Sequence, residues 1–332
     1  MNWLANPVEV RVPATSANLG PGFDSLALAL ARYDVVTARI TGGGLTIEVS
    51  GEGQGTAADG ERHLVVRAMR AAFGVLGGQP PGIGLRCVND IPQGRGLGSS
   101  AAAIVSGLLA ARALAGGGCA VGVADVPGVA GVAGVADVGG LTDLELLRLA
   151  VALEGHPDNV SACLAGELVI SWTSASGAGF ARLATVAGLA PVLCVPDSEL
   201  STSAARQALP AAVPHADAAA NSARAALLVT ALTSDPGLLM VATEDFLHQC
   251  YRAAAMPGTA SLVSALRGAG IPAVVSGAGP AVLALTIAGR CPGPREVAAV
   301  AADQGASWLV RPVKVDSSGA VVRVAADARP GS

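Results

Sequence analysis

The stretch Pro92-Gln93-Gly94-Arg95-Gly96-Leu97-Gly98-Ser99-Ser100-Ala101-Ala102 sets three glycines at alternate positions ahead of two serines and an apolar run. Alternating glycines let a backbone turn through positive φ and come close to a ligand. The serines then open a helix whose first N–H groups lack partners within it and whose dipole favours negative charge. That combination suits a chain of phosphates. The plainer alternative is a glycine-rich turn with a serine cap.

Residue identity narrows the chemistry. No G-x-x-x-x-G-K-[ST] run is present, and Lys314 is the sole lysine. A Walker A loop and a lysine-dependent protein-kinase site are both excluded. The spacing Gly94-x-Gly96-x-Gly98 also departs from the dinucleotide-binding G-x-G-x-x-G. Phosphate charge must then be met by backbone N–H groups, a divalent cation and arginine.

The composition sets outer limits. The 332 residues are 52% hydrophobic and 14% charged, with a formal net charge of -4. No basic block exists, so no nucleic-acid partner is expected. The six cysteines form no C-x-x-C pair and no zinc-spaced cluster with histidine. They read as buried, reduced thiols of a cytoplasmic protein. Met1-Asn2-Trp3-Leu4 shows no basic segment leading into an apolar one, so no signal peptide is expected. The uncharged run 268–289 is long enough for a membrane span. Pro272, Pro280 and its glycines make it two buried strands joined by a tight loop, and no membrane association is expected.

The elements that must carry the loop follow from periodicity. Strands are expected at 8–12, 33–40, 45–49, 83–88 and 167–172. Leu64, Ala68, Ala72 and Val75 share one helical face. Residues 101–115 form an apolar helix, and 141–153 another, with Thr142 and Glu145 as a capping box. The Gly/Ala/Val tract 116–140 reads as a surface insertion. A Ser/Gly-rich run near 174–179 marks a boundary, giving domains 1–173 and 174–332. The second has strands at 191–195, 273–275 and 281–287, with helices near 218–232, 238–251, 260–267 and 295–304. The class is α+β.

The glycine loop resembles the nucleotide-binding signature of the GHMP kinases, a family of ATP-dependent small-molecule kinases. Val12-Pro13-Ala14-Thr15-Ser16-Ala17-Asn18-Leu19-Gly20-Pro21-Gly22-Phe23-Asp24 resembles that family's first motif, and Val275-Ser276-Gly277-Ala278-Gly279-Pro280 its third. Glu154-Gly155-His156-Pro157-Asp158-Asn159, Ser201-Thr202-Ser203-Ala204-Ala205-Arg206 and the segment from Asp245 to Arg252 resemble the branch that phosphorylates the hydroxyl of L-homoserine. The resemblance implies the GHMP kinase fold. That is an N-terminal domain like domain 2 of ribosomal protein S5 and a ferredoxin-like C-terminal domain, with ATP between them. It also implies ATP and Mg²⁺ as cofactors, and makes a homodimer an expectation.

L-homoserine carries an ammonium, a carboxylate and the reacting hydroxyl. By resemblance Asp24 pairs the ammonium, Arg206 and Arg252 fork onto the carboxylate, and Asn18, His156 and Asn159 hold the hydroxyl end. Glu154 and Ser100 take Mg²⁺, which uses few protein oxygens. Asp158 falls where relatives carry a catalytic aspartate, and Thr202 positions the γ-phosphate or the substrate. Residues 92–102 with Gly277 and Gly279 hold the nucleotide. Plainer readings stand beside these. Asp24 could cap a helix at 25–31, His156 could sit at a helix end, Glu154 could form a salt bridge, and both arginines could be solvated. His63 stands where relatives carry an asparagine near the adenine. A mevalonate-type or sugar-alcohol acceptor would lack the ammonium. A non-catalytic ligand sensor of this fold would be expected to lose Glu154 or the loop serines.

Overall fold

The computed structural model describes residues 3–116, 141–175, 177–290, 292–305 and 307–324. The expected insertion therefore lies outside the described residues, apart from Gly116, as do Cys119 and Cys291.

The first unit runs β1 (Val8–Ala17), β2 (Leu26–Thr41), β3 (Gly44–Gly51), α1 (Leu64–Val75), β4 (Gly82–Asn89), α2 (Ser99–Leu114), α3 (Asp143–Glu154), α4 (Asp158–Ala165), β5 (Leu168–Ser174) and β6 (Gly177–Leu183). The second runs β7 (Leu189–Pro196), α5 (Thr202–Gln207), α6 (His215–Thr233), α7 (Leu239–Ala242), α8 (Gln249–Arg252), α9 (Pro257–Gly268), β8 (Ala273–Val275), β9 (Val282–Ile287), α10 (Pro294–Ala302) and β10 (Trp308–Pro312). A last strand, β11 (Val321–Val324), returns to the first sheet. That sheet has the order β11-β1-β2-β4-β3, with β5 pairing β2 and β6. The β3–β4 pair is parallel and the other pairs are antiparallel. The second sheet, β10-β7-β9-β8, is antiparallel. Counted along the chain its strands lie in the order 4-1-3-2, the split βαβ arrangement of ferredoxin-like domains.

Helix α2 buries nearly all its circumference, including Ala101, Ala102, Ile104, Val105, Leu108 and Leu109. Small residues let α1 pack closely, and Gly107 lies against Val65 and Ala68. The core thus fixes the helix whose N-terminus ends the glycine loop. The expected capping box is present. Thr142 Oγ1 accepts from Glu145 N at 3.2 Å, and the Glu145 carboxylate accepts from Thr142 N at 2.8 Å.

Several expectations change. Residues 26–31 are strand, not a helix capped by Asp24. Leu26, Leu28 and Leu30 alternate with Ala27 and Ala29, a period of two, and all are buried between β1 and β5. The expected helix 238–251 is broken. The helix α7 stops at Ala242, and the Asp245 carboxylate accepts from Leu247 N, His248 N and Gln249 N at 3.0, 3.1 and 2.7 Å, which starts α8. Strands β8 and β9 with their loop account for the apolar run 268–289. Among the described cysteines, Cys87, Cys163 and Cys194 are buried and Cys250 is exposed. The division at 173/174 falls at the β5–β6 hairpin, so we propose that the second unit begins after β6.

Candidate active site

The glycine loop joins β4 to α2. Three of its carbonyls are met by the second unit. Gly94 O accepts from Leu200 N at 3.0 Å, Arg95 O from Ala281 N at 3.2 Å, and Gly96 O from Ser276 Oγ at 2.7 Å. Gly96, at φ 74, lies so close to Ser276 O and Gly279 that a Cβ has no room. Gly98, at φ 71, is the left-handed cap of α2, and a Cβ there would run into Thr15 Oγ1. The loop is thus pressed from behind while the first amides of α2 stay free for an anion.

A cleft of about 150 Å³ opens in front of it. Its lining includes Gly94, Gly96, Leu97, Gly98, Ser99, Ser100, Gly277 and Gly279 from the loops. It also includes Asn18, Asp24, Glu154, His156, Asp158, Asn159, Thr202, Arg206 and Arg252. Every side chain expected at the metal and acceptor ends therefore meets in one place. Five residues of the 92–102 stretch lie elsewhere. Ala101 and Ala102 are core, Pro92 is buried, Gln93 faces a second cavity, and Arg95 reaches back to residues 196–199.

Where the metal ligands are expected, Ser100 Oγ donates to Glu154 Oε2 at 2.6 Å. Burial pushes the Glu154 carboxyl above its ordinary range, partly offset by the Ser100 hydrogen bond. Glu154 ends α3, and Gly155 at φ 95 turns the chain into the His156–Asn159 segment. His156 Nδ1 lies 3.1 Å from Asp158 Oδ1, which also accepts Asn159 N at 2.7 Å. Burial pulls the imidazolium pKa down. The hydrogen bond and charge of Asp158, with the charge of Glu154, outweigh it and leave His156 raised. Asp158 is buried and lines the cleft, with its Oδ1 engaged by His156 and by Asn159 N. Asn159 Oδ1 accepts from Thr15 Oγ1 at 2.7 Å, and its Nδ2 donates to Asp158 Oδ1 at 3.4 Å, which leaves one amide hydrogen for the cleft.

Where the acceptor is expected, Asp24 and Arg206 pair in bidentate fashion at 3.1 and 2.7 Å. This pairing raises the Arg206 pKa further. Arg252 is 1% exposed, not a solvated surface residue. Its Nε donates to Ala205 O at 3.1 Å, and its Nη1 lies 3.1 Å from His248 Nδ1. His248 Nε2 lies 2.9 Å from Gly20 O, so Nε2 carries the proton and Nδ1 accepts from Arg252. Burial keeps His248 below its ordinary pKa, in line with that neutral form. Asn18 spends its side chain structurally, donating to Gly277 O at 2.8 Å and accepting from Asp24 N at 2.9 Å.

Sequence reasoning missed Phe23, whose ring stacks on His248 at 5.2 Å and lies 5.7 and 5.4 Å from the Arg206 and Arg252 guanidiniums. It also missed Thr15. Both lie inside the 12–24 motif. A second cavity of about 350 Å³ shares Gly94, Ser99 and Ser100 with the cleft. Asp34, Thr56, His63, Asn89 and Ser106 line it. His63 is 6% exposed, and its Nδ1 is buried without a hydrogen-bond partner.

Among the described residues no helix is long and apolar enough to cross a membrane. No group of three or more His, Cys, Asp or Glu side chains there could hold a metal unaided.

Residues 63–126 match the GHMP kinases N terminal domain and residues 225–303 the GHMP kinases C terminal domain. The chain belongs to the GHMP kinase family and is an ATP-dependent small-molecule kinase with that family's α+β fold. The homoserine kinase of Streptomyces coelicolor is 50% identical over 320 residues, covering 96% of this chain and 96% of that protein. The homoserine kinase of Leifsonia xyli subsp. xyli is 47% identical over 328 residues, covering 98% and 94%. The crystal structure of homoserine kinase from Cytophaga hutchinsonii superposes with a TM-score of 0.76 at 24% identity, over 97% of this chain and 99% of that one. Within the family, the chain's place is among the homoserine kinases.

Proposed function

We propose that this chain transfers the γ-phosphoryl group of ATP to the side-chain hydroxyl of L-homoserine, giving ADP and O-phospho-L-homoserine, in the threonine-forming route. The hydroxyl oxygen attacks the γ-phosphorus, the bond to the β–γ bridging oxygen breaks, and the hydroxyl proton is released. The observation that carries this reading is the Asp24–Arg206 pair beside buried Arg252. It is the complement of a zwitterion, in which an ammonium replaces Arg206 on Asp24 and a carboxylate is shared by the two guanidiniums. A sugar alcohol or mevalonate would leave half of that constellation unpaired, which costs affinity. The names of the curated relatives point the same way.

The nucleoside fits the second cavity, and its phosphates then pass over Gly94–Ser100 toward the cleft. The orphaned Nδ1 of His63 supplies a polar partner for the base. Asp24, Glu154 and Asp158 line the cleft against only two arginines, which the acceptor carboxylate would occupy, so a polyphosphate needs a further cation. One carboxylate and one hydroxyl meeting at the start of α2 fit Mg²⁺, which keeps phosphate oxygens and water for its other positions. Glu154 and Ser100 would hold it, and it would neutralise charge on the transferred group. His156, oriented by Asp158, and Asn159 hold the hydroxyl in line. Positioning and charge neutralisation are most of what phosphoryl transfer asks. A cytoplasmic setting fits the buried thiols.

The test is ADP release with L-homoserine, mevalonate and galactose side by side. Turnover that depends on L-homoserine is expected. Folded protein that binds ATP yet shows no such dependence would end this reading.

A further inference from the structure

Arg95 stands in the middle of the glycine loop, where an arginine would be expected to face phosphate. It does not. Its Nε donates to Pro196 O at 2.9 Å and its Nη2 to Asp197 O at 2.7 Å. Its Nη1 donates to Gln93 O at 2.9 Å and lies 2.8 Å from the Glu199 carboxylate. All three guanidinium nitrogens are therefore engaged, two of them on consecutive carbonyls at the end of β7. Leu200 N closes the same contact from the other side by donating to Gly94 O at 3.0 Å.

The gripped segment has a specific continuation. Residues 197–201 lead directly into α5, whose Ser201 side chain caps the helix by accepting from Ala204 N. That helix carries Thr202 and Arg206, two lining residues of the cleft. It has only six residues, too few to hold its own position by local hydrogen bonding. Its root is fastened to the phosphate loop, and its far end reaches Asp24 through Arg206. Glu199 is 71% exposed, so its ion pair contributes little, and the carbonyl contacts carry the grip.

We infer that Arg95 is a positioning residue that couples the donor loop to the acceptor arm 196–207. Phosphates seated on the loop order Gly94 to Gly96, and Arg95 passes that order to the arm holding Thr202 and Arg206. The acceptor is then bound more tightly when nucleotide is present, and linkage makes the effect reciprocal. This rests on the loop's being the phosphate site; it needs the L-homoserine assignment only for its second readout.

The first readout is amide hydrogen exchange in residues 196–207 with and without a non-hydrolysable Mg·ATP analogue. Nucleotide is expected to slow exchange there in the wild-type chain and not in Arg95→Ala. The second is calorimetric titration of L-homoserine with and without the analogue. A tightening of about fivefold or more is expected for the wild type, within the usual range of coupling factors. It should fall toward one in Arg95→Ala. Arg95→Lys should lose most of it, because an ammonium cannot fork onto both carbonyls. Glu199→Gln, an exposed change with little risk to folding, should keep it. Protection and tightening that survive in Arg95→Ala overturn the inference, as does a wild-type chain that shows neither. A Glu199→Gln variant as defective as Arg95→Ala overturns the carbonyl grip. If L-homoserine binds neither protein, the acceptor assignment fails, and the exchange experiment still decides this one.

Discussion

Glu154 carries the sharpest prediction for a single side chain. Its carboxylate is held by Ser100 and destabilised by burial. Glu154→Gln keeps an oxygen for Ser100 and removes the charge. Turnover should fall by roughly 10²–10³-fold, the usual loss for one electrostatic contact to the reacting group. Thermal unfolding should show equal or higher stability, because a buried charge is gone. Near-wild-type turnover would refute the metal role. His63 makes the opposite split. His63→Ala should raise KM for ATP about tenfold, the cost of one lost hydrogen bond, and leave KM for L-homoserine unchanged. His63→Asn should restore part of it. Glu154 and Arg206 were legible only through the motifs that resemble the family's, since each alone reads as an ordinary surface residue. Phe23 was not, because an aromatic beside two arginines has no signature until the fold stacks them.

Loop and strand decide the next level. Gly98 needs positive φ and the space that Thr15 Oγ1 would otherwise contest. Gly98→Ala should lower stability by about 2 kcal/mol or more, from left-handed strain of 1–2 kcal/mol plus the clash. Urea unfolding measures this, and an unchanged midpoint would show that the cap can relax. Asp34 holds the entrance to the same loop, accepting from Asp90 N and Ile91 N at 2.8 and 2.9 Å. Burial raises its pKa from 3.8 to about 6. Between those values the folded chain binds more protons than the unfolded one, so stability falls as pH rises toward 6 and is level above it. Asp34→Asn should remove that fall, which is at most about 3 kcal/mol for a shift of this size. Melting curves from pH 4 to 8 test it; parallel profiles for both proteins would remove the assignment. Period-two patterning hid in the Leu/Ala run of β2, where alternating small residues also suit a helix. The Asp245 turn was hidden for another reason, since a carboxylate that takes three amides looks like any helical aspartate.

The whole chain closes on itself through β11. It pairs with β1 over Val8↔Val324 to Arg11↔Val321 and covers what would be an exposed sheet edge. A chain ending before Val321 should unfold at lower urea and aggregate more readily, as followed by light scattering. A midpoint matching the full chain would show that β1 needs no cover. The same long-range logic builds the site. The donor loop belongs to the first sheet, the arm with Arg206 to the second, and Asn18 and Ser276 stitch the two. A variant such as Ser276→Ala would test that seam alone.

From sequence came the loop, its need for a cation in place of lysine, and the set of groups that match a zwitterionic acceptor. The loop depends on residue type and local spacing, which a linear chain displays, and the acceptor groups on the motifs' resemblance to the family. What folding added is commitment. Arg95 turned out to grip a neighbouring arm instead of phosphate, Asp158 to hydrogen-bond His156, and Asn18 to spend its amide on Gly277. Each polar atom has several possible partners in the sequence, and burial forces it to take one. Which one depends on backbone groups brought together from distant parts of the chain.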